Sequence, residues 1–299
     1  MEPVRIFVGA DRSQALAIKV LEYSIKRHTT LPVNLVPMVD LPIRAPKHIS
    51  NSQRTGFSFS RFCIPEMAGY AGKAIYMDAD MLVFKDIRSL WEIPFDGAKV
   101  VIQEEVKYQE LTTRKFGAPS LRRKQCAVML LDCGRLDWKI DRIIDGLDRN
   151  EYNYEMLMYD LCLVGENEVK YGVPFEWNSL EYYDQKTCLL HYTDVRTQPW
   201  TSCLNRNGEH WYNEVRLMLA DGSLAMDELK QEIDLGYFRP SLLWDLRIRP
   251  AIPSVLRPPF DVINTWRDVM KRYQPHRDVY LAKKRRAASA KQASNPALS

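Results

Sequence analysis

The order of the first three apolar runs limits the fold more than any other feature of the chain. Val4–Ala10 (VRIFVGA) is rich in β-branched and aromatic side chains. Ser13–His28 follows with apolar positions at helical spacing, Ile18, Leu21 and Ile25 sharing one face. Val33–Met38 (VNLVPM) is then a second strand-like run. A strand, a helix and a strand in series favour a crossover between parallel strands, so the chain reads as an α/β protein. Strand candidates continue in the run that closes on Asp78 and at Lys99–Gln103, Ala127–Asp132 and Cys188–Tyr192. A short helix is expected within Phe57–Tyr70 and another helix at Trp138–Leu147. Beyond Trp211 come one or two helical segments. Prolines 240, 250, 253, 258 and 259 are expected to break the chain after those helices into a poorly packed appendage.

At 299 residues the chain has room for one large domain, or one domain with an appendage. Its 46% hydrophobic and 27% charged residues are those of an ordinary globular protein. No apolar run reaches the roughly 18 residues of a membrane span, and the opening residues show no secretory leader, so a cytoplasmic location is expected. Cysteines 63, 126, 133, 162, 188 and 203 form no CxxC pair and read as free thiols. The charge is uneven: from Arg239 onward there are 13 Lys+Arg against 4 Asp+Glu, and 29 against 34 before it. That basic end is a surface for an anionic partner. It carries no recognised nucleic-acid motif, so nucleic acid is not the expected partner. Its stretch from Tyr237 to Tyr273 interleaves Arg with Trp, Leu, Ile and Phe, a composition that suits the face of an anionic membrane or packing back onto the domain.

The run KAIYMDADMLVF, residues 73–84, places Asp78 and Asp80 where a buried strand should end. In open α/β sheets ligands bind beyond the carboxyl ends of the strands. Alternate residues of a strand share a face, so both carboxylates can address one point. Two such acids repel unless a cation lies between them, and oxygen ligands suit Mg²⁺ or Mn²⁺. Alone, the pair fits a metal site and an acidic strand-end turn equally.

The surrounding text, FSFSRFCIPEMAGYAGKAIYMDADMLVFKDIRSLW, resembles glycosyltransferase family 8, the family of glycogenin and bacterial lipopolysaccharide hexosyltransferases. The matching pieces are Arg61-Phe62-Cys63-Ile64-Pro65, Ile75-Tyr76-Met77-Asp78-Ala79-Asp80 and Asp86-Ile87-Arg88-Ser89-Leu90. Ser24–His28, Val173–Ser179 (VPFEWNS) and His191–Trp200 (HYTDVRTQPW) extend the match, in family order, from about Arg5 to Trp200. The resemblance implies a GT-A fold: a Rossmann-like mixed sheet flanked by helices, typical of nucleotide-diphospho-sugar transferases. The catalytic domain is expected at residues 1–210; the prolines and charge of the remainder point to a helical, proline-rich basic appendage at 211–282 and a disordered basic tail at 283–299.

The resemblance further implies transfer of a hexose from a UDP-sugar to the hydroxyl of a saccharide, glycolipid or protein acceptor, with retention of configuration. Cell-surface glycan or glycolipid assembly at the inner face of a membrane would suit the basic end. By the family pattern Asp78, Asp80 and His191 ligate Mn²⁺ or Mg²⁺. The loop of Gly9, Ala10 and Asp11 meets the nucleoside, the Ala79 backbone the ribose, and Arg61 the donor sugar; Trp177 and Asn178 shape the wall. A satisfied structural role is the alternative for His191, and a tight turn the alternative for Gly9.

Departures from the pattern are equally specific. The late family motif has Gly and Lys where this chain has Asp194 and Gln198, and this version is one residue longer. The lysine that grips the diphosphate is therefore missing, with Arg196 and Gln198 as candidate replacements. Gln125 stands where the family carries Asn. The family's Asp-Gln pair near the reacting carbon is absent, leaving Glu155 and Asp160 as the nearest polar candidates, each equally readable as a helix-surface acid. These gaps motivate a second reading, a nucleotide-sugar-binding protein without turnover. A haloacid-dehalogenase phosphatase, which also uses Asp-x-Asp, is a third, set back by Met81-Leu82 and by the lack of a late acidic pair.

Overall fold

The computed structural model describes residues 2–104 and 124–276. The expected tail at 283–299, and residues 277–282 of the expected appendage, lie outside them. The chain begins with β1 (Val4–Ala10), a 3-10 turn and α1 (Ala15–His28), then β2 (Val33–Val39). A one-turn helix, α2 (Ile64–Met67), precedes β3 (Lys73–Asp78), β4 (Met81–Val83), a second one-turn helix, α3 (Arg88–Trp91), and β5 (Val100–Gln103). Next come β6 (Val128–Asp132), α4 (Ile140–Asp148), α5 (Tyr154–Tyr159), β7 (Val169–Val173), β8 (Ser179–Leu180) and β9 (Leu189–His191). Four helices close the described residues: α6 (Gly208–Asp221), α7 (Met226–Asp234), α8 (Leu242–Arg247) and α9 (Arg257–Met270).

The main sheet runs β2-β1-β3-β6-β5-β7. Strands β1, β2 and β3 are parallel, β6 is antiparallel to both neighbours, and β7 is parallel to β5, so the sheet is mixed. Strand alternation sorts the apolar side chains to two faces. Phe7, Tyr76, Met129 and Leu131 pack with Ile144 and Leu147 of α4 and Leu157 of α5. Ile6, Ile75, Val128 and Leu130 pack on the other face with Ile18, Leu21 and Ile25 of α1. Pro37 is tolerated in β2 because that strand is an edge.

A second sheet, β4-β9-β8, continues where β3 stops. A third core joins it to the late helices: Leu82 and Leu190 pack with Trp200, Trp211, Tyr212, Phe238 and Leu242, and with Leu16, Ala17 and Val20 of α1. Helix α1 is thus clamped between the main sheet and the segment after Trp200. Beside Pro240 that segment is well packed, whereas residues 250–259, which hold the other four prolines, are mostly exposed. Arg239, Ser241, Leu242 and Asp245 are fully buried, and Asp245 accepts ion pairs at 2.5 Å from both Arg239 and Arg249. Buried guanidinium–carboxylate pairs supply the order that the proline spacing conceals.

Candidate active site

The two acids do not share a strand. Asp78 is the last residue of β3, and Asp80 lies in the bend between β3 and β4. Their convergence comes from sheet exchange rather than from alternation along one strand. Met81 pairs with His191 in the antiparallel β4–β9 ladder, and Tyr192 N–H donates to Asp80 O at 2.8 Å. That register brings an imidazole from far along the chain to the acid couple. One ligand atom from each of Asp78, Asp80 and His191 lies within 4.8 Å of the others.

Surrounding groups fix each of the three. Tyr76 OH donates to Asp78 Oδ1 at 2.5 Å, and Arg61 donates to Tyr76 OH at 3.0 Å and Cys126 O at 2.8 Å. The guanidinium, 8% exposed, stands 3.5 Å from Asp78. Gln198 is fully buried; its amide donates to Asp80 Oδ2 at 2.8 Å and to Tyr192 O at 3.1 Å. Asn178 Oδ1 meets His191 Nδ1 at 2.8 Å while its amide donates to Gln103 Oε1 at 2.5 Å. This bonding pattern assigns a hydrogen to Nδ1 and leaves Nε2, 3.1 Å from Asp80 Oδ1, to carry a second proton or to ligate a cation.

The electrostatics follow from burial and crowding. Burial raises the pKa of Asp78 above the usual carboxylate value, and Asp80 adds to the rise against the opposing charge of Arg61. Burial alone would lower the pKa of His191, yet the carboxylates of Asp80 and Asp78 carry it above the ordinary imidazole value. Asp80 Oδ1 is buried and makes no hydrogen bond, although His191 Nε2 is near. An orphaned carboxylate oxygen beside an imidazole nitrogen and a second carboxylate is a donor set that fits a divalent cation.

The cluster forms the floor of a cavity of about 400 Å³, whose walls include Asp11, Arg61, Gln125, Tyr154 and Met158. Asp11, Arg54, Thr55 and His276 also line an outer cleft of about 970 Å³, so the two spaces join. Asp40, just beyond β2, and Tyr237 are on the walls of that cleft.

Other sequence candidates fall elsewhere. Gly9 and Ala10 lie within β1, and Ala79 is buried beside the couple. Glu155 is paired with Arg54 on the exposed side of α5, and Asp160 is exposed just beyond that helix. Arg196 is exposed and forms a two-point pair with Asp194 at 3.0 Å. None of these last three lines the cavity, whereas Lys124, Tyr154, Met158 and His276 do. The sequence carried no signal for these four, because apolar or isolated basic positions match no motif.

The model described as glycosyl transferase family 8 matches residues 12–129. That segment is similar to glycosyltransferase family 8. The match, with the mixed α/β sheet of the GT-A fold, supports a glycosyltransferase. Protein CDI of Arabidopsis thaliana is 26% identical over 251 residues, covering 77% of this chain and 92% of that protein. Among solved structures, the galactosyltransferase LgtC, in complex with donor and acceptor sugar analogs, superposes with a TM-score of 0.50 at 15% identity, over 77% of this chain and all of LgtC. The bifunctional glycosyltransferase WbbM superposes with a TM-score of 0.51 at 13% identity, over 71% of this chain. The chain spans about half the length of WbbM (49%). At these identities the two structures share the fold.

Proposed function

We propose that the protein transfers a hexose from a UDP-sugar to an acceptor hydroxyl, with Asp78, Asp80 and His191 holding Mn²⁺ or Mg²⁺. The observation that carries this reading is the meeting of three ligand atoms at the floor of a cavity open to a second, larger cleft. The cleft has room for the nucleoside, with Asp11 and Asp40 as acceptors for its hydroxyl and N–H groups. The inner cavity takes the diphosphate and sugar. When bound, the cation neutralises the diphosphate and stabilises it as a leaving group.

Arg61 opposes the effect of burial on Asp78 and aims it, Gln198 aims Asp80, and Asn178 holds the His191 tautomer that ligates. Gln125 is the polar side chain placed to meet the donor sugar or acceptor. In the retaining reaction we expect, the anomeric carbon–phosphate bond breaks and a bond to the acceptor oxygen forms on the same face. The acceptor proton passes to the departing phosphate.

A screen of UDP-sugars for Mn²⁺-dependent UDP release tests the reading. One sugar should release UDP, EDTA should abolish the release, and Asp80→Ala should lower it by at least about a hundredfold. Release that survives EDTA would remove the metal from the proposal. Tight donor binding without turnover would favour the nucleotide-sugar-binding reading.

We further propose peripheral contact with an anionic membrane surface on the cytoplasmic side, which would suit a lipid-linked acceptor. Helix α9 supports it by being inside out. Phe260, Asn264 and Asp268 face the protein, while Val262, Ile263, Trp266, Val269 and Met270 are each more than half exposed. Basic Arg257, Lys271 and Arg272 flank that apolar face. Among the described residues no helix is long and apolar enough to cross a membrane, so the contact would lie at the interface. Removing residues from 240 onward would dismantle the third core, so the test is point substitution. Wild-type protein should sediment with vesicles containing anionic lipid, and the triple variant Val262→Ser, Trp266→Ser, Val269→Ser should not. Equal sedimentation of both removes the proposal.

A further inference from the structure

The chain leaving α9 turns back toward the catalytic cavity. Arg272 and His276 adopt left-handed backbone conformations, with φ of 57° and 50°. Residues with a Cβ hold such conformations only where the surroundings impose them. Half-buried Tyr273 fastens the turn: its N–H donates to Asp268 O at 3.0 Å and its hydroxyl to Tyr237 O at 3.2 Å. The reversal delivers His276 to the junction of the outer cleft and the inner cavity, and it lines both. There it lies within electrostatic reach of Asp11 and of Asp80.

The imidazole's Nε2 is buried with no hydrogen-bond partner. With the ring hydrogen on Nδ1, Nε2 presents a lone pair to that junction. Burial lowers the pKa of this imidazole below its ordinary value and so favours the neutral ring. A buried acceptor without a donor is costly, and a ligand O–H aimed at it removes that cost.

Position selects the ligand group. On the UDP-sugar reading above, the base occupies the outer cleft and the diphosphate lies by the acid couple; the ribose spans the junction. We propose that His276 is a ribose-recognition residue, its Nε2 accepting a hydrogen bond from a ribose hydroxyl of the donor nucleotide. The inference rests on that reading. It gives the segment after α9 a part in choosing the donor, although no motif marks it.

The test is calorimetric titration of the full chain, with Mn²⁺ present, by UDP, 2′-deoxy-UDP and 3′-deoxy-UDP. Wild-type protein should bind UDP at least about tenfold more tightly than one of the two deoxy analogues. His276→Ala should bring UDP and that analogue within about twofold of each other, and His276→Gln, whose amide oxygen reaches toward the Nε2 position, should keep part of the preference. A selectivity ratio is insensitive to the fraction of unfolded protein, so a merely structural role would leave it unchanged. Wild-type binding of UDP without discrimination, or discrimination that persists in His276→Ala, overturns the inference and leaves the UDP-sugar reading standing. Failure of the wild-type protein to bind UDP overturns both. Loss of UDP-hexose affinity in His276→Ala, with UDP and deoxy-UDP affinities unchanged, would assign the contact to the hexose and overturn the ribose assignment.

Discussion

A Cβ built on Gly9 would stand 2.6 Å from the Tyr76 hydroxyl, 3.0 Å from Ser60 Oγ and 3.1 Å from a Phe57 ring carbon. Gly9 lies within a strand and has no left-handed backbone, so its smallness serves close approach rather than a turn. The group it admits is the hydroxyl that orients Asp78. Gly9→Ala is therefore expected to displace Tyr76, cost about 1–3 kcal/mol of stability and lower Mn²⁺-dependent turnover at least about tenfold. Adding Tyr76→Phe removes the crowded oxygen. The double variant should recover part of the lost stability while turnover stays low, because the hydrogen bond to Asp78 is gone. Melting temperatures and UDP release across the four proteins check this; additive stability losses would show that Tyr76 is not what Gly9 accommodates.

At the scale of elements, the β4–β9 ladder makes the site, and it also sets its pH behaviour. In the metal-free protein His191 holds a proton to a pH above the ordinary imidazole range, mainly because Asp80 opposes the effect of burial. A raised folded pKa contributes stability that is complete below the ordinary value and lost as pH rises through the raised one. Metal binding works in the opposite sense, since Nε2 must be deprotonated to ligate. The apparent affinity for Mn²⁺ should thus fall about tenfold for each pH unit below the His191 pKa. Thermal stabilisation by Mn²⁺ should accordingly grow between about pH 6 and pH 8. A stabilisation flat across that range would mean His191 is not a ligand.

How much of this was legible varied by element. Strands β1, β2, β3, β5, β6 and β9 and helices α1 and α4 stood out through apolar runs and periodicity. β4 and β8 are too short to show a period, and β7, an edge strand with Lys170, Tyr171 and Gly172 half-buried, lacks the apolar run of a central strand. The motif residues were readable singly, but the bend that moves Asp80 off β3 is a tertiary property of the β4–β9 register.

For the whole molecule, the late helices belong to the same cooperative structure as the site. Arg239 is fully buried; its Nε donates to Pro199 O at 3.2 Å, its N–H to Trp200 O at 2.9 Å, and a guanidinium N–H to Tyr212 OH at 2.9 Å. Its counter-ion, Asp245, also holds Arg249 and accepts from Asn264 of α9 at 3.2 Å. One carboxylate therefore joins the segment after His191 to α8 and α9. The inward polar face of α9 exists to meet this network, which is why a search for an apolar stripe facing the core misreads the helix. Asp245→Ala would strand the buried Arg239 and leave Arg249 with Asp261 alone, and breaking such a buried pair costs about 3–5 kcal/mol. Because the third core includes α1, that loss should appear as one cooperative transition shifted to lower temperature, with UDP release lost as the site unfolds. Val262→Ser, on the exposed face of the same region, should change stability by less than about 0.5 kcal/mol. Calorimetry on both variants decides it: two separate transitions in Asp245→Ala, with the catalytic transition at its wild-type temperature, would show that the late helices fold apart from the site.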